Sequence, residues 1–368
     1  MKDFTDWDEF SDQPRIIKDR RFKFKIRAKH WIDYVKMAMI SLLIYPIALL
    51  HMLLNSYRAN RRSDQISPDY RLSRSLFGVG VSLERGGTQF DLVEELGIEH
   101  VLIRFPLKHM HRISEYREFA AEFKRRGKTI LLNVLQTRAH IVDSAVLERD
   151  ITLVFQVFQE LTDEFQIGNA INRLKWGFAS PGEYLEFFKV VQRVRDSDFP
   201  TIKLIGPAVI DFEYYFTIRT LFNGYKLKFD RLSALLYVDR SGSPDSSQFG
   251  IFNTDRKIRL LESLRVLSNK VKWDGIYITE VNWPLRGTAP YAPTSEAECV
   301  EIEEYCRYMR RYYEIAAATK CVRRVYWHQL IAPGYGLVDN RKQRVRKTAA
   351  FISLKSLLMQ LKRNELAL

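Results

Sequence analysis

Arg104, Asn133, Asn169, Tyr237, Glu280 and His328 each stand at or just past the end of a short apolar run, with Trp283 and Trp327 close by. Asparagine, arginine and carboxylate groups suit the hydroxyls of a sugar, and an indole suits the apolar face of a pyranose. Glu280, in "YITEVNWPL", is the strongest single candidate. A carboxylate closing an apolar run is costly to place there without a partner or a task. As a nucleophile it would attack an anomeric carbon. The bland alternative is a structural acid paired with Arg104. The stretch "FQIGNAINRLKWG", residues 165–177, raises the opposite question. Asn169, Asn172 and Trp176-Gly177 have the makings of a binding loop, yet Ala170 places an inert methyl group among them.

Eight apolar runs would position these residues. They are "LFGVGV" (76–81), "HVLIRF" (100–105), "TILLNVL" (129–135), "FQIGN" (165–169), "IKLIGPA" (202–208), "LSALLYV" (232–238), "GIYITEV" (275–281) and "RVYWHQL" (324–330). Amphipathic stretches such as "SEYREFAAEFKRRG" and "EIEEYCRYMRRYYEIAAAT" lie between them. Strands alternating with helices imply parallel pairing and right-handed crossovers. Eight repeats over residues 75–368 match the count and size of a (β/α)8 TIM barrel, whose chemistry sits at the carboxyl ends of the strands. A doubly wound open sheet is the runner-up, weakened because "GVGVSLERGG" is no Gly-rich phosphate fingerprint.

Ahead of the barrel the chain changes sign. Residues 1–36 run from the acidic "MKDFTDWDEFSD" into a Lys/Arg-rich stretch. Phe4, Trp7 and Phe10 are spaced for a short docking helix, or for a frayed terminus. Residues 37–54, "MAMISLLIYPIALLHMLL", carry no acid and no Lys or Arg. As a helix they would reach roughly 27 Å, against a hydrocarbon layer of about 30 Å. Pro46 would kink it. A single transmembrane span, a helix lying in the interface and a buried soluble helix all stay open. The distance from the N-terminus and the poor cleavage site argue against a signal peptide. Residues 55–74, polar and carrying Pro68, read as a linker. Lys/Arg counting across the flanks favours an exterior barrel. Unpaired cysteines, the Pro46 kink and basic residues on both flanks favour the cytoplasmic face, which we expect, at a bacterial inner membrane.

A formal charge of +14 asks for an anionic partner. Apolar content of 46% supports a sizeable core and excludes a disordered chain. Cys299, Cys306 and Cys321 have no CxxC spacing, so neither a disulfide framework nor a zinc site is expected. His109-x-His111 lacks a third ligand and reads as loop histidines. The clusters "KRRGK", "RYMRRYY" and "NRKQRVRK" read as solvated helix faces, without the layout of a nucleic-acid reader. No metal, cofactor or nucleic-acid partner is expected. An oligosaccharide or glycolipid, an anionic one by charge, is the expected ligand, and a membrane the expected surface.

"QIGNAINRLKWGFASPGEYLEFFK" followed by "IKLIGPAV", and later "ITEVNWP", resemble the fourth-to-fifth-strand region and the seventh-strand segment of the clan-A retaining glycoside hydrolases. The resemblance covers the whole barrel. It implies Glu280 as nucleophile, Asn169 as partner of the sugar 2-hydroxyl, Arg104 and Tyr237 as residues orienting Glu280, and Trp327 as a stacking platform. The clan places Asn-Glu at the end of the fourth strand, the Glu being the acid/base. Here the pair is Asn169-Ala170, and a clan histidine two residues before the sixth-strand tyrosine is Leu235. Loss of a general acid costs on the order of 10²–10⁴ in rate. Three explanations follow. Another acid, Asp211, Glu213 or Asp239, has moved in. Or the donor carries a leaving group, such as phosphate, that needs no proton, and the barrel transfers rather than hydrolyses. Or it is a membrane-associated pseudoenzyme that binds a lipopolysaccharide or other cell-envelope polysaccharide without chemistry.

Overall fold

The structure, a computed structural model, describes residues 5–8, 13–63, 72–341 and 345–366. Eight parallel strands close into one barrel, each paired with the next and the last with the first. They are β1 Phe77–Val81, β2 His100–Pro106, β3 Thr129–Leu135, β4 Glu164–Ile167, β5 Lys203–Ile210, β6 Arg231–Leu235, β7 Ile276–Val281 and β8 Val322–Trp327. This is the expected (β/α)8 barrel. Alternation along the strands decides which residues fill it. Leu102, Leu131, Ile205, Tyr277 and Tyr326 form an inner layer. Their neighbours Ile103, Leu132, Leu204, Ile278 and Val325 join the outer core under the helices. Gly78 is needed for that layer, because a Cβ there would lie 2.5 Å from the Tyr326 ring.

Two helices precede the barrel: α1 Arg20–Ala28 and α2 Trp31–Ser63. The outer helices are α3 Thr88–Leu96, α4 Ile113–Arg125, α5 Arg138–Val142, α6 Ser144–Phe158, α7 Pro181–Asp198, α8 Tyr214–Leu221, α9 Thr254–Leu267, α10 Ile302–Thr319 and α11 Ala349–Leu366. The "SPGE" stretch starts α7 by local chemistry: Ser180 accepts from the Glu183 amide, and Pro181 occupies the first turn.

The N-terminal region departs from expectation in two ways. Trp7–Asp8 and Gln13–Pro14 pair as an antiparallel hairpin, so Trp7 does not belong to a docking helix; Phe4 and Phe10 lie outside the described residues. The apolar helix is also longer than residues 37–54. Residues 55–63, read as linker, continue α2, because "NSYRANRRS" contains no proline or glycine to stop it. Of that linker, residues 64–71 lie outside the described residues.

α2 is long and apolar enough to cross a membrane. One face packs on α8 and α9, burying Met37, Ala48 and Met52. Asp33 locks its start, accepting from Arg219 Nη2 at 2.8 Å and the Gly182 amide at 2.6 Å. Tyr34 donates to the Ala179 carbonyl at 2.8 Å. The opposite face leaves Met39, Leu42, Leu43, Leu50 and Leu53 exposed, Leu42 by 76%.

Candidate active site

A cavity of about 300 Å³ opens at the carboxyl ends of the strands, lined by Arg104, Tyr237, Glu280 and His328 among the residues chosen from sequence. Asp211, Trp176 and Tyr335 line it too. Glu280 reaches it through a broken alternation. Tyr277 faces the barrel interior and Glu280 the cavity, three residues on. A regular strand would put them on opposite faces, but β7 shifts register against both neighbours in this stretch.

Tyr237 donates to Glu280 Oε1 at 2.6 Å, and His328 Nε2 lies 3.8 Å from the same oxygen. The His328 ring stacks on Tyr335 at 5.5 Å between centroids. Burial pushes the Glu280 carboxyl up, but His328, Arg104 and the Tyr237 and Asn169 side chains outweigh it, leaving the group below the ordinary glutamate value. Glu280 is therefore held as a carboxylate. The Asn169 contribution is short of a well-formed bond, since its buried Nδ2 has no partner at proper distance and angle. Burial and the adjacent Glu280 raise the Tyr237 phenol well above its usual value, so it stays a donor.

The 169–177 loop is clamped from beneath. Gln136 accepts from the Asn169 amide at 3.0 Å and donates to the Asn169 and Trp176 carbonyls at 2.9 Å each. Asn133 donates to Asn169 Oδ1 at 3.1 Å, so it orients Asn169 and does not line the cavity. Asn172 exchanges two hydrogen bonds of 3.0 Å with the backbone of Ile210. Arg173 then reaches both Asp211 and Glu213.

Ala170 is buried and left-handed, with φ at 44°. It packs with Leu135, Trp176, Ala208 and Leu235. Both departures from the clan pattern, Ala170 and Leu235, therefore sit in one apolar patch. Of the three acids suggested as replacements, Asp211 lines the cavity while Glu213 and Asp239 do not. A register shift at Ala208 and a φ of 62° at Asp211 bring that side chain round. Burial raises the Asp211 carboxyl above its ordinary value, and Arg173 only partly offsets this.

Two sequence-based choices are corrected. Trp283 and Trp327 are fully buried outside the barrel, stacked on each other at 5.8 Å. Trp327 Nε1 donates to Tyr305 at 2.6 Å, and Trp283 Nε1 to the Gly242 carbonyl at 3.0 Å. Neither offers a ring face to a sugar. The alternation explains this: Tyr326 and His328 point inward, so Trp327 between them points out. Trp176 and Tyr335 are the aromatic walls instead. Gln13 of the N-terminal hairpin also lines the cavity, and no local sequence signal announced it.

No family model and no curated protein matches the chain. Its closed barrel with a strand-end cavity is a glycoside hydrolase-like fold. Among solved structures it is similar to a family 39 glycoside hydrolase from the gut symbiont Bacteroides cellulosilyticus WH2, at 16% identity and TM-score 0.62 over 80% of this chain and 65% of that one. A family 1 β-glucosidase from Thermotoga maritima is similar at 11% identity and TM-score 0.56, over 78% and 98%. A glucosidase from Croceicoccus marinus is similar at 11% and 0.58, over 79% and 67%. The chain thus spans about two thirds of the family 39 structure. These likenesses establish the fold.

Proposed function

We propose that the barrel processes a glycan of the cell envelope, a polysaccharide or lipopolysaccharide, with Glu280 as retaining nucleophile and Asp211 in place of the acid absent at Ala170. The observation carrying this is the Glu280 carboxyl, which accepts from Tyr237 at 2.6 Å and lines the same cavity as Asp211. A deoxyfluoro-glycosyl fluoride, whose intermediate breaks down slowly, should leave a covalent adduct on a peptide containing Glu280 by mass spectrometry. Absence of any adduct across a panel of sugars sinks the reading. A second reading, a glycan-binding protein without turnover, is favoured by the apolar patch around Ala170 and Leu235. Tight glycan binding with no adduct and no turnover of activated donors would select it.

The same proposal places α2 in a membrane interface with the barrel docked behind it, on the cytoplasmic side of a bacterial inner membrane. An exposed apolar face of this extent calls for cover. Exposed Arg20, Arg21, Lys25 and Arg27 on α1 suit anionic headgroups. The protein should sediment with phosphatidylglycerol vesicles. Leu42→Asp with Leu50→Asp should lower that partitioning at least about tenfold. Equal partitioning of both proteins would refute the placement.

A further inference from the structure

Residues 285–300, between β7 and α10, form a compact loop at the rim of the Glu280 cavity. Its neck is closed by backbone hydrogen bonds. The Val300 amide donates to the Pro284 carbonyl at 2.9 Å and the Arg286 amide to the Val300 carbonyl at 3.0 Å. The Leu285 amide donates to the Gly334 carbonyl at 2.8 Å, and a Cβ at Gly334 would run into the Tyr291 backbone. The next residue, Tyr335, stacks on His328. Within the loop, the Tyr291 amide donates to the Thr288 carbonyl and the Glu298 amide to the Ser295 carbonyl, each at 2.9 Å. A loop closed and packed in this way holds its side chains in place. It presents Pro293, Thr294 and Glu298 to the cavity.

Glu298 is the third carboxylate of that cavity, beside Asp211 and Glu280. The other two are answered by the chain itself: Asp211 by Arg173, and Glu280 by Tyr237 at 2.6 Å. The acids on either side of Glu298 are answered as well. Glu296 accepts from the Gly287 amide at 2.5 Å, and Glu301 from Arg286 at 2.8 Å. The Glu298 side chain has no hydrogen bond or ion pair among the described residues. An ionised carboxylate only accepts, through two oxygens. Whatever displaces solvent from it has to bring donors, or the displacement costs free energy.

We propose that Glu298 selects the departing part of the substrate, accepting hydrogen bonds from the hydroxyls of a sugar unit joined to the one that reacts at Glu280. The proposal rests on the reading of Glu280 as the retaining nucleophile. Glu280 and His328 stand at the strand ends, their side chains 14% and 9% exposed. Pro293 and Thr294 are exposed at the rim. A sugar whose anomeric carbon meets Glu280 sends its leaving group outward, past that rim. Adjacent hydroxyls of a pyranose match the two oxygens of a carboxylate, in charge-assisted hydrogen bonds. A methyl or aryl group brings no donor and would leave the carboxylate unanswered. The preferred substrate is then a glycan with a second hydroxyl-bearing sugar, not a simple alkyl or aryl glycoside.

Glu298→Ala in the full chain tests this, with disaccharide, methyl and dinitrophenyl substrates that share one reacting sugar. KM for the disaccharide should rise at least about tenfold. KM for the methyl and dinitrophenyl glycosides should stay as in wild type, as should kcat on all three and the alkaline limb of the pH profile. In a Glu280→Gln background, which holds substrate without turnover, calorimetric titration should show the same tenfold loss for the disaccharide alone. Equal weakening of all three substrates would make the loop a structural support and overturn the assignment. A fall in kcat on both the methyl glycoside and the disaccharide, with loss of the alkaline limb, would make Glu298 the proton donor and overturn it too. If disaccharide KM is unchanged while a fluorosugar adduct still forms on Glu280, only the role of Glu298 falls. If no adduct forms with any sugar, the reading of Glu280 falls with it.

Discussion

Glu280→Gln should lower turnover of dinitrophenyl glycosides by at least about 10³-fold while leaving the fold intact. The amide keeps the shape of the carboxylate and can still accept from Tyr237. What it loses is the charge answering His328 and Arg104, and the electron pair that attacks the anomeric carbon. A dinitrophenolate needs no proton to depart, so the measurement isolates the nucleophile from any acid. Glu280→Ala adds a second arm: azide admitted to the vacated space should restore turnover and give a glycosyl azide of inverted configuration. The acid limb of the wild-type pH–rate profile should fall below the ordinary glutamate range, because the net effect of burial, His328, Arg104 and the hydrogen bonds is to lower the Glu280 pKa. Activity is then present above that lowered value and lost as pH falls through it. Turnover by Glu280→Gln equal to wild type, without added azide, would reduce Glu280 to a structural acid.

Much of this site could be read from one dimension because barrel strands obey a two-residue period. Arg104 is flanked by outward Ile103 and Phe105, and His328 stands two residues after inward Tyr326, so both face in. The same rule, applied one residue earlier, places Trp327 outward, against its reading as a stacking platform. Glu280 is inward for a reason the period does not contain, the register shift in β7. Asp211 likewise depends on a left-handed backbone that no residue type in "AVIDFEYY" demands. Trp7 and Gln13 were beyond reach altogether. They meet Lys108, Trp176 and Lys175 only after the whole barrel has closed, and contacts of such sequence separation leave no periodic trace.

The apolar patch around Ala170 bears on how the missing acid can be interpreted. Had only Ala170 changed, a truncated but otherwise intact acid site would remain. Leu235 and Leu135 close on it too, and Trp176 covers it. A glutamate restored at 170 would enter a cluster of apolar side chains, where a carboxylate left unpaired costs several kcal/mol. On the proposed reading, proton donation would come from elsewhere in the cavity.

Asp211→Asn should therefore separate substrates by leaving group. For an unactivated alkyl or sugar aglycone, which must be protonated to depart, turnover should fall on the order of 10²–10⁴-fold. For a dinitrophenyl glycoside it should barely change at the glycosylation step. Of the three carboxylates lining the cavity, Asp211, Glu280 and Glu298, Asp211 follows β5 and pairs with Arg173, and its carboxyl is displaced upward while Glu280 is displaced downward, the pattern that divides acid from nucleophile. The alkaline limb of the wild-type profile then reports loss of the Asp211 proton. It should lie above the ordinary aspartate range and vanish in Asp211→Asn. Arg173 opposes this by favouring the Asp211 carboxylate, so Arg173→Gln should move the alkaline limb upward. Loss of activity on both substrate types alike would make Asp211 a structural partner of Arg173. No loss on either would remove Asp211 as the acid, leaving Glu298 of the same cavity or donors, such as sugar phosphates, that depart unprotonated.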